Sequence, residues 1–319
     1  MLALGTGGYA LLHKARPYLH GSGCEVNTST GKMPLDLEQG ANASTIAAVA
    51  IGKRLPERAA VIAYATAIQE SHIRNLPHGD RDSVGMFQQR PSQGWGSEDK
   101  LRDPVQATAK FYGALVKVKD YLDRDLHDAA QRVQRSADGR AYAQHEPDGK
   151  LLAAAFTGRE PGTARCWFPP GKRTEPRRPE ALREMRRAFG GKLKISGPGD
   201  LAAGAKPGSP NGPRPLSGGG QEPDNGPSSG TRPLSGGGQG PEVAPSNAGR
   251  GVEDGSASWN AVAASSPRNG WAIATWAVTH ARVYGLTEVR FAGRHWRADA
   301  GHDGWTTDKR AGSGSVIIH

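Results

Sequence analysis

The sequence predicts a mainly α-helical domain, then a Gly/Pro-rich disordered linker, then a small α+β module. Three observations predict this order. Apolar residues recur at helical spacing between positions 36 and 166, composition collapses to Gly, Pro, Ser and Asn over 196–255, and helical and alternating patterns return in 256–319.

The first helix is read from DLEQGANASTIAAVAIGKR, residues 36–54. Leu37, Ala41, Ala48 and Ile51 fall at helical spacings, and Gly52 and Pro56 close the run. Pro56 suits the first turn of a second helix through PERAAVIAYATAIQES. There Val61, Ile62, Ala65, Ile68 and Gln69 keep the repeat, and Glu70 falls in the last turn. The following HIRNLPHGDRDSVGMFQQRPSQGWG is rich in loop-forming residues, and loops held by a rigid scaffold commonly carry function. Asp103-Pro104 opens another helix with Ala107, Phe111, Leu115 and Val118 on one face. LHDAAQRVQRS, AYAQHE and LLAAAFTG read as shorter helices, and no strand is predicted before Cys166.

Domain limits follow from composition. Residues 1–21 begin with an apolar run ended by Lys14 and Arg16. That run is shorter than the ~20 apolar residues a span needs, and it has neither a basic leader nor a small-residue cleavage site. It reads as the remnant of a signal or anchor segment whose start is missing. No other segment has the length to cross a membrane, which leaves a transporter without support. Residues 22–170 form the helical domain. Residues 171–195 are a basic helical extension around PEALREMRRAFG, read as a solvated linker helix in preference to a wall-binding or nucleic-acid-binding arm. Residues 196–255 hold RPLSGGGQEP at 214–223 and RPLSGGGQGP at 232–241, a repeat too poor in apolar residues to bury a core. Residues 256–319 follow as a small α+β accessory module. In it Trp271, Ile273, Trp276, Ala277, His280, Ala281 and Tyr284 mark one helix face, and TEVRFAG, RHWRA and GSVIIH read as strands. Its tryptophans have two readings, as sugar-stacking platforms or as core.

Lys and Arg number 41 against 31 Asp and Glu, a formal charge of +10. Such a balance favours anionic surroundings without choosing among wall polymers, lipid head groups and nucleic acid. Cys24 and Cys166 bracket the helical domain. A disulfide between them, implying an oxidising compartment, is the better reading, with two buried free thiols as the alternative. The loop histidines His72 and His78 lack the further ligands a metal site needs.

Glycosidic cleavage needs a carboxylic acid able to protonate a poor leaving group, and a carboxyl at the end of an apolar helix facing a cleft meets that need. Glu70 is so placed, although a Glu ending a helix is more often simply solvated. ATAIQESHIRN followed by DSVGMFQQRPSQGWG resembles the lytic transglycosylases of the lysozyme-like superfamily. There a Glu-Ser pair closing a helix precedes a Gly-hydrophobic-hydrophobic-Gln loop, here Glu70-Ser71 and Gly85-Met86-Phe87-Gln88. The likeness runs from about Cys24 to Cys166 and is closest to secreted or membrane-anchored wall-lytic proteins of actinobacterial type. A Tyr-Asn-Ala-Gly motif common in the family is absent.

The resemblance implies a lysozyme-like catalytic fold with Glu70 as general acid and then base. It implies Ser71, Gln88 and Tyr142 around that acid, and Gln89 and Trp95 as substrate contacts. The implied reaction cuts the bond between N-acetylmuramic acid and N-acetylglucosamine, with attack by the 6-hydroxyl giving a 1,6-anhydro end. Implied partners are peptidoglycan glycan strands, and anionic wall polymers beside them. Nucleic acid, metal and cofactor are not expected, and the chain is expected to be a monomer outside the cytoplasm. Two alternatives stay open. Asp80 or Asp82 could assist water in a muramidase, although both sit in a turn-forming GDRDS run, or the chain could bind wall without catalysis.

Overall fold

The structure, a computed structural model, describes residues 21–136, 139–169, 174–197 and 259–319. The segment read as a signal or anchor remnant and most of the linker lie outside them. The described chain is a mixed α+β fold with two antiparallel sheets.

Helix α1, Leu37–Gly52, starts at Asp36, whose side chain accepts from the Gln39 amide while the Gln39 side chain accepts from the Asp36 amide. That reciprocal box satisfies two otherwise orphaned donors. Its small residues, Ala43, Ala47, Ala48 and Ala50, are all buried and let neighbouring helices approach closely. Helix α2, Glu57–Ser71, follows after a short connection and runs antiparallel to α1. The carboxamide of Gln39, at the start of α1, donates to the His72 carbonyl just past the end of α2. Tyr64 is fully buried inside this pair and donates its hydroxyl to the Ala43 carbonyl. Helices α3 (Glu98–Leu101), α4 (Pro104–Leu115), α5 (Leu126–Gln134), α6 (Arg140–Ala143) and α7 (Glu146–Phe156) complete this helical part.

Three strands correct the all-helical expectation. Strand β1, Gly23–Thr28, pairs antiparallel with β2, Gly31–Leu35, on one side and with β3, Ala164–Trp167, on the other. The β1–β3 register puts Cys24 opposite Cys166, and the two form the disulfide. It joins positions 142 residues apart, so by loop-closure entropy it restricts the unfolded chain by about 5 kcal/mol.

Helix α8, Arg178–Phe189, is the basic extension, and it is not a solvated linker. Its Ala181, Leu182, Met185, Ala188 and Phe189 are buried, forming an apolar stripe that the arginine count concealed. Arg187 spans to Asp103 and Glu184, fastening the helix to the start of α4.

After α8, strand β4, Ile195–Ser196, pairs with β5, Asn260–Ala263, in the register Ile195↔Val262. Both ends of the Gly/Pro-rich stretch are thus anchored in neighbouring strands. The remaining elements are helix α9 (Pro267–Tyr284) and strands β6 (Glu288–Phe291), β7 (Arg294–Arg297), β8 (Thr306–Thr307) and β9 (Ser315–Ile318). They build a six-stranded sheet in the order β4-β5-β9-β6-β7-β8.

The C-terminal residues do not form a core of their own. Helix α9 lies along α1, where Ser44 and Thr279 share a buried 2.8 Å hydroxyl contact. Gly40 of α1 makes room for the disulfide, since a Cβ there would stand 2.8 Å from Cys24 Sγ. Gly158, at φ +73°, lets the start of α9 cross the end of α7, with the Arg268 carbonyl 2.1 Å from the position of any Cβ. Trp296 and Trp305 donate to the Cys166 and Ala164 carbonyls of β3. Trp271, Trp276 and Trp296 are buried, so these rings are core. Continuous apolar contact runs from Cys24 to Ile318. A separate module of this size would have been near the lower limit for independent folding, and merging with the helices removes that difficulty.

Candidate active site

Helix α2 ends abruptly. His72 and Ile73 both adopt left-handed backbone, φ +53° and +62°. For a β-branched residue such as Ile73 this costs on the order of 1–3 kcal/mol. The surroundings hold it there: the Ile73 side chain is buried and its carbonyl accepts from Asn42 of α1. The sharp turn leaves Glu70, in the last turn of α2, partly exposed.

Tyr142 of α6 donates its hydroxyl to Glu70 Oε1 at 2.7 Å. The ring is 2% exposed, and burial together with the Glu70 carboxylate pushes its pKa up. The phenol therefore remains the donor of this pair throughout the physiological range. Beside it, His145 Nε2 lies 2.9 Å from Gln69 Oε1. Burial pushes the pKa of His145 down; Asp148 opposes this and His72 adds to it, so the ring is neutral near pH 7. A neutral ring facing a carboxamide oxygen carries its proton on Nε2.

The Gly85-Met86-Phe87-Gln88 loop is clamped to the end of α2 by Ser71. The Ser71 hydroxyl is buried, lies 2.7 Å from the Met86 carbonyl and accepts from the Arg74 amide. Gly85 is obligatory, with φ +78° and the Leu101 carbonyl 2.3 Å from where a Cβ would stand. Reciprocal backbone bonds between Val84 and Gln89 close the turn. Met86 and Phe87 are fully buried, with Phe87 stacked on Phe111 at 4.5 Å. The Gln134 carboxamide donates to the Phe87 carbonyl. Gln88 itself sits at φ +45°, half-buried, donating to the Gly85 carbonyl. Gly79 makes room for its carboxamide, since a Cβ would overlap Gln88 Oε1.

The structure thus brings Glu70, Tyr142 and the Ser71-held loop together, and it separates other expected contacts from them. Ser71, expected beside the acid to orient it or the sugar, is a buried tie between the helix end and the loop. Gln89 is 2% exposed and turns inward to the Ala107 carbonyl, so it too is scaffold. Gln89 was expected to touch substrate because a polar side chain in a loop motif looks solvent-facing until its partners are known. Trp95 is half-buried on a groove of about 600 Å³ between α4 and α5, and Glu70 is not among the residues lining that groove. Asp82 accepts from Arg90 Nε and from both the amide and the hydroxyl of Ser92. Those donors hold its pKa well below the usual carboxylate range, and its role is to fasten the loop. Asp80 projects into solvent beside Arg81. His145 and Gln69 were missed by sequence reasoning, as only the folding of α6 and α7 across the end of α2 brings them together.

Among the described residues, no group of three or more His, Cys, Asp or Glu is placed to hold a metal ion, and no helix is long and apolar enough to cross a membrane. The disulfide is compatible with an extracellular protein. No protein-family model matches this sequence, and no curated protein is significantly similar to it.

Proposed function

We propose that this chain is a peptidoglycan lytic transglycosylase whose helical part is a lysozyme-like catalytic domain working outside the cytoplasm, with Glu70 as its acid and base. The observation that carries the reading is the Tyr142–Glu70 contact, set beside a Gly-Met-Phe-Gln loop that Ser71 ties to the same helix end. A partly exposed carboxyl held in one orientation is what protonating a glycosidic oxygen requires.

In this mechanism Tyr142 occupies Oε1, so the transferable proton sits on Oε2. Oε2 gives that proton to the oxygen between N-acetylmuramic acid and N-acetylglucosamine as the C1–O bond breaks. The N-acetyl group of the muramic acid stabilises C1. The resulting Glu70 carboxylate then takes the proton of the same sugar's 6-hydroxyl, whose oxygen bonds to C1 and closes the 1,6-anhydro ring. Tyr142 stabilises the carboxylate between the two proton transfers. Gln88 is the side chain nearest in role to a cleft wall. Hydrolysis assisted by a second carboxylate is less favoured, since Asp82 is committed to Arg90 and Ser92.

Digestion of purified peptidoglycan by the wild type and by Glu70→Gln, with released muropeptides identified by mass, tests the proposal. Anhydro ends that disappear in the variant are the expected result. Reducing ends would assign the second step to water, and equal activity in the variant would remove Glu70 from the mechanism.

A further inference from the structure

At the far end of the α1/α2 pair from Glu70, a recess of about 830 Å³ lies between the end of α1, the segment after α8 and the start of α9. The 15 residues of α2 put this recess roughly 20 Å from the acid along the helix axis. Lys53, Arg54, Lys192 and Lys194 line it, and among the described residues no Asp or Glu does. Among the described residues, ion pairs elsewhere engage most of the arginines near the surface, yet none of these four side chains forms one. The nearby Glu57 is committed to Arg159 and Arg268. Ser265 and Asn269 add polar groups where α9 begins.

We propose that this recess binds a phosphodiester-linked cell-wall polymer, which holds the enzyme on the wall without touching the site of cleavage. Four cations that pair with no carboxylate among the described residues, brought together from two parts of the chain, create a local positive potential that favours a polyanion. Their concave arrangement suits a thin flexible chain with repeated phosphates better than the flat surface of a bilayer. The exposed large apolar residues Val116, Leu122 and Val283 do not line it, and its own apolar side chains Ile51 and Leu193 are half-buried, which suits a lipid surface poorly. Its one aromatic, Phe189, is 7% exposed, so the stacking platform that single-stranded nucleic acid uses is missing. The choice of a wall polymer rests on the wall-lytic reading of Glu70, but binding is measured without turnover, so the two can fail separately.

The test uses the full chain with poly(glycerol phosphate), phosphatidylglycerol vesicles and an oligothymidylate as three separate probes. The variant replaces Lys53, Arg54, Lys192 and Lys194 by Gln together. If all four engage phosphates as on a single strand, wild-type affinity for poly(glycerol phosphate) falls about 50-fold between 50 and 200 mM salt. The variant binds weakly with little salt dependence and keeps its thermal midpoint. Equal polymer binding by the variant would overturn the proposal. So would wild-type binding to vesicles or oligothymidylate as tight as to the polymer, or no polymer binding at all.

Discussion

Replacing Tyr142 by Phe removes one hydroxyl and leaves the ring that fills the space between α6 and α2. The lost interaction that bears on the acid is the 2.7 Å bond to Glu70 Oε1, and a side-chain bond with Ser136 goes with it. Toward a protonated carboxyl such a bond contributes about 0.5–1.5 kcal/mol, and toward a carboxylate about 1.5–3 kcal/mol. Only the difference, about 1–1.5 kcal/mol, acts on the barrier, because catalysis depends on what is gained between ground state and transition state. Tyr142→Phe is therefore expected to lower kcat roughly tenfold. KM should stay within about twofold, since the phenol is committed to Glu70 rather than to sugar. The assay is the initial rate of soluble muropeptide release across a range of peptidoglycan concentrations, with thermal melts as a control on folding. An unchanged kcat, or a loss confined to KM, would refute the assignment of Tyr142 to the charged state of Glu70.

Two further outcomes follow from the same geometry. Ser71→Ala leaves the buried Met86 carbonyl without its hydroxyl donor, at a cost of about 1–3 kcal/mol, while the Arg74 amide keeps its bond to the Ser71 carbonyl. Its thermal midpoint should drop by several degrees, and its activity should fall as the Gln88 loop loosens; an unchanged midpoint would show that the hydroxyl does not hold the loop. His280 is buried and stacked on Trp276, and burial pushes its pKa down to about 4, against a backbone bond to Trp276 that raises it. The unfolded chain then binds a proton between about pH 6.5 and 4 that the folded chain refuses, so stability falls by up to roughly 3 kcal/mol as pH drops through that window. His280→Gln should flatten this part of the melting profile, and an identical pH dependence in the variant would assign it to other groups.

Helical periodicity made α1, α2, α4 and α5 legible, because each carries its apolar face within a single window of sequence. Strands β1 and β3 were hidden since their stability comes from pairing across the whole domain. GCEVNT and ARCW are too short to show alternation on their own. The bracketing cysteines were the signal that those two segments meet. Helix α8 was misread because the nine arginines and lysines of residues 171–195 outweighed Ala181, Leu182, Met185 and Phe189, which only a helical projection aligns. The tryptophan-rich C-terminal residues looked like a module because a Gly/Pro-rich stretch precedes them. Nothing local in the sequence signals that Gly158 leaves room for α9. At the site, Glu70 and its loop were legible from the motif, and the Tyr142 pairing was expected from the resemblance. The inward turn of Ser71 and Gln89 was not, since the polarity of a side chain does not reveal whether its partner is solvent or a backbone carbonyl.

Glu70 is the residue on which the proposed chemistry depends, and its replacement by Gln preserves shape while removing the proton. The most direct measurement is the mass of the muropeptides released from purified peptidoglycan by equal amounts of wild type and Glu70→Gln, both checked for the same thermal midpoint. The account predicts 1,6-anhydro ends from the wild type and at least a thousandfold less product from the variant, a ratio of about 4 kcal/mol in barrier. Matching release of the same products by both proteins would contradict it.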